Sequence, residues 1–106
     1  MYLNKKMVQT YVLQKSSRSS KKFMIITPQE KKIHFGQSGA SDMTIHKNEA
    51  RKHNYITRHS VREDWTKKSI EKPMFWAKHL LWNKPNLEDS IKDTESRFNI
   101  KIVYQY

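Results

Sequence analysis

The sequence predicts an α+β fold, a small antiparallel sheet packed on three to four helices. Three observations lead there. The run FMIIT at 23–27, the tripeptide Pro28-Gln29-Glu30 and the run KKIHF at 31–35 read as two strands joined by a turn, a hairpin over residues 23–35. The stretch PMFWAKHLLW at 73–82 is apolar around most of a helical circumference, as a central core helix must be. Asn86 stands where it can cap a last helix whose Leu87, Ile91 and Phe98 fall on one stripe.

In chain order, MVQTYVL at 7–13 mixes β-branched and aromatic residues and predicts a short strand. KSSRSSKK at 15–22 has nothing to bury and predicts a basic Ser-rich linker or mobile loop. Residues 1–20 therefore read as an N-terminal strand or arm with its linker, and residues 21–106 as a single α+β domain. After the 23–35 hairpin come the only two glycines, Gly36 and Gly39, which can supply positive φ for a sharp exit from the sheet. Ser41 or Asp42 can cap a helix beyond this loop. Residues 46–59 have helix-forming composition but a weak apolar stripe of Ile45, Tyr55 and Ile56, and helical spacing sets Lys47, Arg51, Asn54 and Arg58 on one face. Pro73 suits the first turn of the core helix, which Lys78 and His79 interrupt and Asn83-Lys84-Pro85 ends. Asp89 sits in capping-box position after Asn86, with Glu88 favoured by the helix dipole. Asn99 is a left-handed stop, and Ile100, Ile102 and Tyr104 alternate with Lys101, Val103 and Gln105 in a closing strand.

Charge is divided unequally along the chain. Of 106 residues, 21 are Lys or Arg and 10 are Asp or Glu, for a net +11. Residues 1–60 hold twelve basic and three acidic side chains, a net of +9; the remainder holds nine and seven, a net of +2. A packed C-terminal scaffold carrying a basic surface for a polyanion fits this division, and nucleic acid is the commonest such partner. The plain alternative is a generically basic protein. With no cysteine, neither a disulfide framework nor a cysteine zinc finger is available. No apolar run approaches the roughly twenty residues of a membrane span. The N-terminus is broken by Lys5, Lys6, Gln9 and Thr10 and makes a poor signal peptide, so the expectation is an intracellular protein.

Phosphate binding needs only lysine and arginine placed along a surface. The candidate nucleic-acid-binding residues are Lys15 and Arg18 in the Ser-rich run, Lys21, Lys22, Lys31 and Lys32 on the hairpin, and Lys47, Arg51, Lys52 and Arg58 on the middle helix, with Tyr55 as a stacking ring. Any one of these lysines read alone is a solvated side chain; the group is harder to dismiss, because Glu49 is the only acid between Asp42 and Glu63. Base-specific reading by Arg51 or Asn54 has no motif behind it. Trp65, Phe75, Trp76 and Trp82 could stack on unpaired bases but read better as core. His46 and His53 are seven apart, no His pair stands at i, i+4, and zinc-site spacing is absent. Glu63 and Asp64 beside Arg58-His59 are the nearest approach to a Mg²⁺ nuclease site, though a helix start or pairing with Arg62 and Lys67 explains them better. The loop from Gly36 to Gly39 could hold a phosphate on its amides, or simply turn.

The order KKFMIITP, IHFGQSGASDMTIHKNEARKHNYITRH, EDW, FWAKHLLWNKP and SIKDTESRFNIKI resembles a family of small basic, uncharacterised proteins of large double-stranded DNA viruses, the mimivirus and phycodnavirus relatives. The likeness spans residues 21–102. Its landmarks are IHFG at 33–36, D-x-T-I-H at 42–46, R-x-x-x-Y-x-x-R-H at 51–59 and the run from FW through LLWNKP to SI. The resemblance implies a viral protein made in infected-cell cytoplasm, in the viral factory, and carried in the virion interior with the genome; at its most specific it implies a non-histone DNA-compacting protein. The expected function is thus architectural: coating or condensing double-stranded DNA without sequence specificity, with no enzymatic activity, metal, cofactor, small-molecule substrate or membrane contact. Compaction needs more than one DNA contact per assembly, so a homodimer or higher oligomer is expected, with residues 1–14 and 100–106 as candidate swapped or edge-pairing strands. The alternative is a minor capsid or tegument protein that meets acidic protein partners; a nuclease is the third reading.

Overall fold

A computed structural model describes residues 8–105. The fold is α+β. Three strands come first, β1 (Thr10–Lys15), β2 (Lys21–Ile26) and β3 (Lys32–Gln37), followed by a short helix α1 (Met43–His46) and a longer one, α2 (Glu49–Ser60). A 3₁₀ turn at Lys67–Ser69 leads into α3 (Pro73–Trp76), which runs on without a break into a π turn at Ala77–Leu81. Helix α4 (Leu87–Phe98) and strand β4 (Lys101–Gln105) complete the chain.

The sheet order is β3-β2-β1-β4. The two hairpin pairings are antiparallel, with Leu13 opposite Ile25 and Ile25 opposite Ile33. Strands β1 and β4 pair with each other in parallel, Tyr11 opposite Ile102, so the sheet is mixed and not purely antiparallel. A parallel pair needs a crossover, and the helices between β3 and β4 supply it. Of the segments expected as swapped or edge-pairing strands, 1–14 and 100–106, residues 10–14 and 101–105 pair with each other within one chain and leave β4 at the edge of the sheet; residues 1–7 and Tyr106 lie outside the described residues. The amide of Ile102 on the edge strand donates to Glu95 Oε2 at 2.8 Å, which removes one donor from edge pairing.

The Ser-rich run, expected as a linker or mobile loop, closes the β1–β2 hairpin as its turn. Ser16 N donates to the Lys22 carbonyl at 3.1 Å and Lys21 N to that of Arg18 at 3.2 Å, and the turn delivers β1 to the interior of the sheet, between β2 and β4. Composition misses this because the turn residues are polar for the same reason linker residues are, while the pairing that orders them is non-local. The helix expected over 46–59 is α2, which starts at Glu49 and is preceded by the separate short helix α1. Lys47 adopts φ 55° and closes α1, and the Asn48 side chain accepts from Arg51 N at 3.1 Å to start α2.

One face of the sheet contributes Tyr11, Leu13, Ile25, Ile33, Phe35 and Ile102 to the core, against Phe75, Trp76, Leu80 and Leu81 of the central helix and Ile91 of α4. His79, expected to interrupt that helix, is instead 2% exposed. The π turn, marked by Trp82 N donating to the Ala77 carbonyl, coincides with the inward placement of the imidazole between the Phe75 and Phe98 rings. Gly36 (φ 79°) packs against the same turn: a Cβ there would lie 2.8 Å from Leu81 Cδ1.

Candidate nucleic-acid interface

Helix α2 has no buried residue. Its attachment is an aromatic ladder: Tyr55 lies flat on Trp82, with ring centroids 4.4 Å apart and planes 5° from parallel, and His59 stacks on Tyr55 at 4.1 Å. Glu63 fixes the end of the ladder, Oε2 bonding to His59 Nδ1 at 2.6 Å and Oε1 accepting from Trp65 Nε1 at 2.9 Å. Tyr55, expected as a ring free to stack on bases, is therefore used in packing. Burial, with the Glu63 charge nearby, pushes its phenol up to about 12. Trp82 is only half-buried, whereas Phe75 and Trp76 are fully buried, as the core reading of these rings expects.

The remainder of α2 presents Arg51, Asn54 and Arg58 to solvent. By helical rise the two arginines stand about 10 Å apart along the axis. The β1–β2 turn lies beside the loop that leads toward α2. Ser38 donates from its amide to the Ser20 carbonyl at 3.0 Å and from its hydroxyl to that of Ser19 at 2.7 Å. Lys15 and Arg18 are exposed on this turn and Lys21 is half-buried at its end. None of these five cations has an ion pair among the described residues.

The remaining predicted residues serve otherwise. Lys22 forms an ion pair with Asp42, which is 2% exposed and whose other oxygen accepts from Thr44 N and Oγ1 at the cap of α1. This pair pins the 38–42 loop to the sheet. Lys32 begins β3 at the far end of the sheet from Lys21, and Lys31, just before it, reaches Glu71 at 3.1 Å. Lys47 is not on the α2 face; its ammonium donates to the carbonyls of Thr44 and Pro85. Lys52 is half-buried and, after burial itself and Arg97, is one of the charges that hold the Lys78 ammonium low.

Between the 36–42 loop, α2 and the π turn lies a cleft of about 300 Å³. Its polar lining includes Lys22, Gln37, Ser41, Arg58 and His59, and Tyr55, Leu81 and Trp82 supply its apolar wall. Of these, the sequence reads Ser41 only as a helix cap, Gln37 only as part of the Gly36–Gly39 loop, His59 only in the nuclease reading and Trp82 as core. The local signals are the Gly-containing loop ahead of an Asp cap and the Tyr55, Arg58 and His59 of α2; their joining is not local, since the cleft is assembled from three separated segments. Glu63 and Asp64, the acids of the nuclease reading, pair elsewhere than expected: Glu63 with His59 and Trp65, and Asp64 with the Thr66 amide at 2.9 Å. Among the described residues no three His, Asp or Glu side chains gather where they could share a metal ion. No helix there is long and apolar enough to cross a membrane.

No curated protein and no solved structure matches the chain. Residues 11–59, from the second residue of β1 to the penultimate residue of α2, are similar to a family of unknown function (DUF5754), and that stretch holds all five unpaired cations of this interface.

Proposed function

We propose that the protein binds double-stranded DNA through its phosphates, without sequence specificity, and acts as an architectural component that coats or condenses a viral genome. The observation that carries this reading is the set Lys15, Arg18, Lys21, Arg51 and Arg58, cations from two separated segments joined through one loop, with no acidic partner among the described residues. The acid on that loop, Asp42, is buried and already neutralised by Lys22. A helix with nothing buried and an arginine face is poorly explained by packing, whereas phosphate contact gives both arginines a counter-charge. The viral setting rests on the sequence resemblance alone.

The test is binding to random duplex as a function of salt. Five phosphate contacts give a slope of log affinity against log salt of about −4 to −5, and the triple variant Arg18→Ala, Arg51→Ala, Arg58→Ala lowers its magnitude by about 2 to 3. Absence of retention at low salt ends the DNA reading and favours an acidic protein partner. Condensation further requires bridging, so sedimentation at DNA-binding concentrations is expected to show a dimer or larger species; a monomer that binds DNA would coat without condensing.

A further inference from the structure

The cleft between the 36–42 loop, α2 and the π turn shares Arg58 with the exposed arginine face and adds groups that face lacks. One carboxylate, Asp42, lines the cleft and a second, Glu63, is bonded to the lining residue His59; both are spent. Asp42 accepts from Thr44 with one oxygen and from Lys22 with the other, and Glu63 is bonded to His59 and Trp65. The groups left over in the lining are mostly donors. The Arg58 guanidinium, the Ser41 hydroxyl and the Gln37 amide have no side-chain hydrogen bond among the described residues, and Lys22 keeps two of its three ammonium protons. The floor is closed where Gly36 meets Leu81.

His59 makes the cleft selective. Its Nδ1 is committed to Glu63, which leaves Nε2 without a partner among the described residues. An uncharged ring then offers a lone pair at Nε2, and a charged one offers a proton. A phosphodiester suits only the second state, because it has no proton to give. A phosphomonoester, with a second ionisation near pH 6, suits both: it donates P–OH to the neutral ring or accepts from the charged one.

We propose that this cleft is a phosphomonoester site, with Arg58, Lys22 and Ser41 holding the phosphoryl oxygens, His59 reading its ionisable oxygen, and Leu81 with the edges of Tyr55 and Trp82 bounding its apolar side. A free nucleotide and the 5′-phosphate at a nucleic-acid strand end offer the same group. The site does not depend on duplex binding, since a monoester can occupy it alone.

Titrations followed by amide and side-chain NMR of the whole chain decide this. Methyl phosphate and a nucleoside 5′-monophosphate are expected to give saturable shifts at Gln37, Ser41, Arg58 and His59, while dimethyl phosphate does not saturate. Arg58→Gln weakens methyl phosphate by on the order of tenfold, His59→Gln narrows the gap between monoester and diester, and Lys101→Gln changes neither. At high salt, where backbone charge is screened, a 5′-phosphorylated oligonucleotide outcompeting its 5′-hydroxyl counterpart identifies the strand end as a source; equal competition by the two assigns the site to free nucleotides. Equal affinity for monoester and diester, or shifts confined to Lys15, Arg18 and Lys21, overturns the site. Either result leaves salt-dependent duplex binding intact, and loss of duplex binding likewise leaves the monoester titration to be read independently.

Discussion

His79 shows how one side chain sets a pH limit on this fold. Its Nε2 donates to the Trp65 carbonyl at 2.9 Å, so the neutral ring presents a bare Nδ1, and that atom is buried without a partner. Burial lowers its pKa from 6.5 to about 4; Lys78 and Arg97 act in the same direction, and the Trp65 carbonyl and Asp93 oppose them. Between those values the unfolded chain binds the proton and the native one does not. This contribution to stability is therefore complete above about pH 6.5 and falls toward pH 4, by on the order of 3 kcal/mol. Urea midpoints across this window are expected to drop in the native sequence and to flatten in His79→Phe. A smaller slope remains, because the pKa values of His34 and His46 are lowered too. An unchanged slope in the variant would remove His79 from the account. Nothing in the sequence marks this histidine as buried: beside Lys78 it reads as a polar break, and only the π turn shows where it goes.

Among the elements, α2 and α4 are the same length and opposite in character. Helix α4 is legible in the sequence because its determinants are local. Asn86 Oδ1 accepts from Asp89 N at 2.8 Å, Asn99 turns left-handed at φ 53°, and Ile91 is buried. Helix α2 has its cap in Asn48 but almost no apolar face, and an isolated helix of twelve residues is marginal in water. Its attachment centres on the stack of Tyr55 on Trp82, extended by His59 and Glu63. Replacing Tyr55 with Ala is expected to cost about 2 kcal/mol and, more tellingly, to speed amide exchange over 49–60 while β1, β2 and β3 stay protected. Uniform acceleration would mean that α2 and the sheet open together. The same contact explains why Tyr55 reads from sequence as a free ring: it has few apolar neighbours on a basic helix, and its partner lies 27 positions away in sequence.

For the molecule as a whole, the decisive feature is that its first described strand is central and its last is that strand's parallel neighbour. Removing residues 101–106 strips β1 of one ladder and exposes Tyr11 and Leu13, so the truncated chain is expected to lose its cooperative thermal transition; a sharp, native-like melt would show that β4 is dispensable. The sequence alone determined the 23–35 hairpin, the core helix, the capped final helix and the excess of positive charge, because turn residues, periodicity, caps and charge act over a few positions. Tertiary structure alone decided that the Ser-rich run is a turn and not a linker, and that β1 and β4 pair in parallel. It also decided which cations are consumed, Lys22 by Asp42 and Lys31 by Glu71, and which remain beside the cleft. Each of these is a contact between residues far apart in the chain, and neither composition nor spacing carries the distance between them.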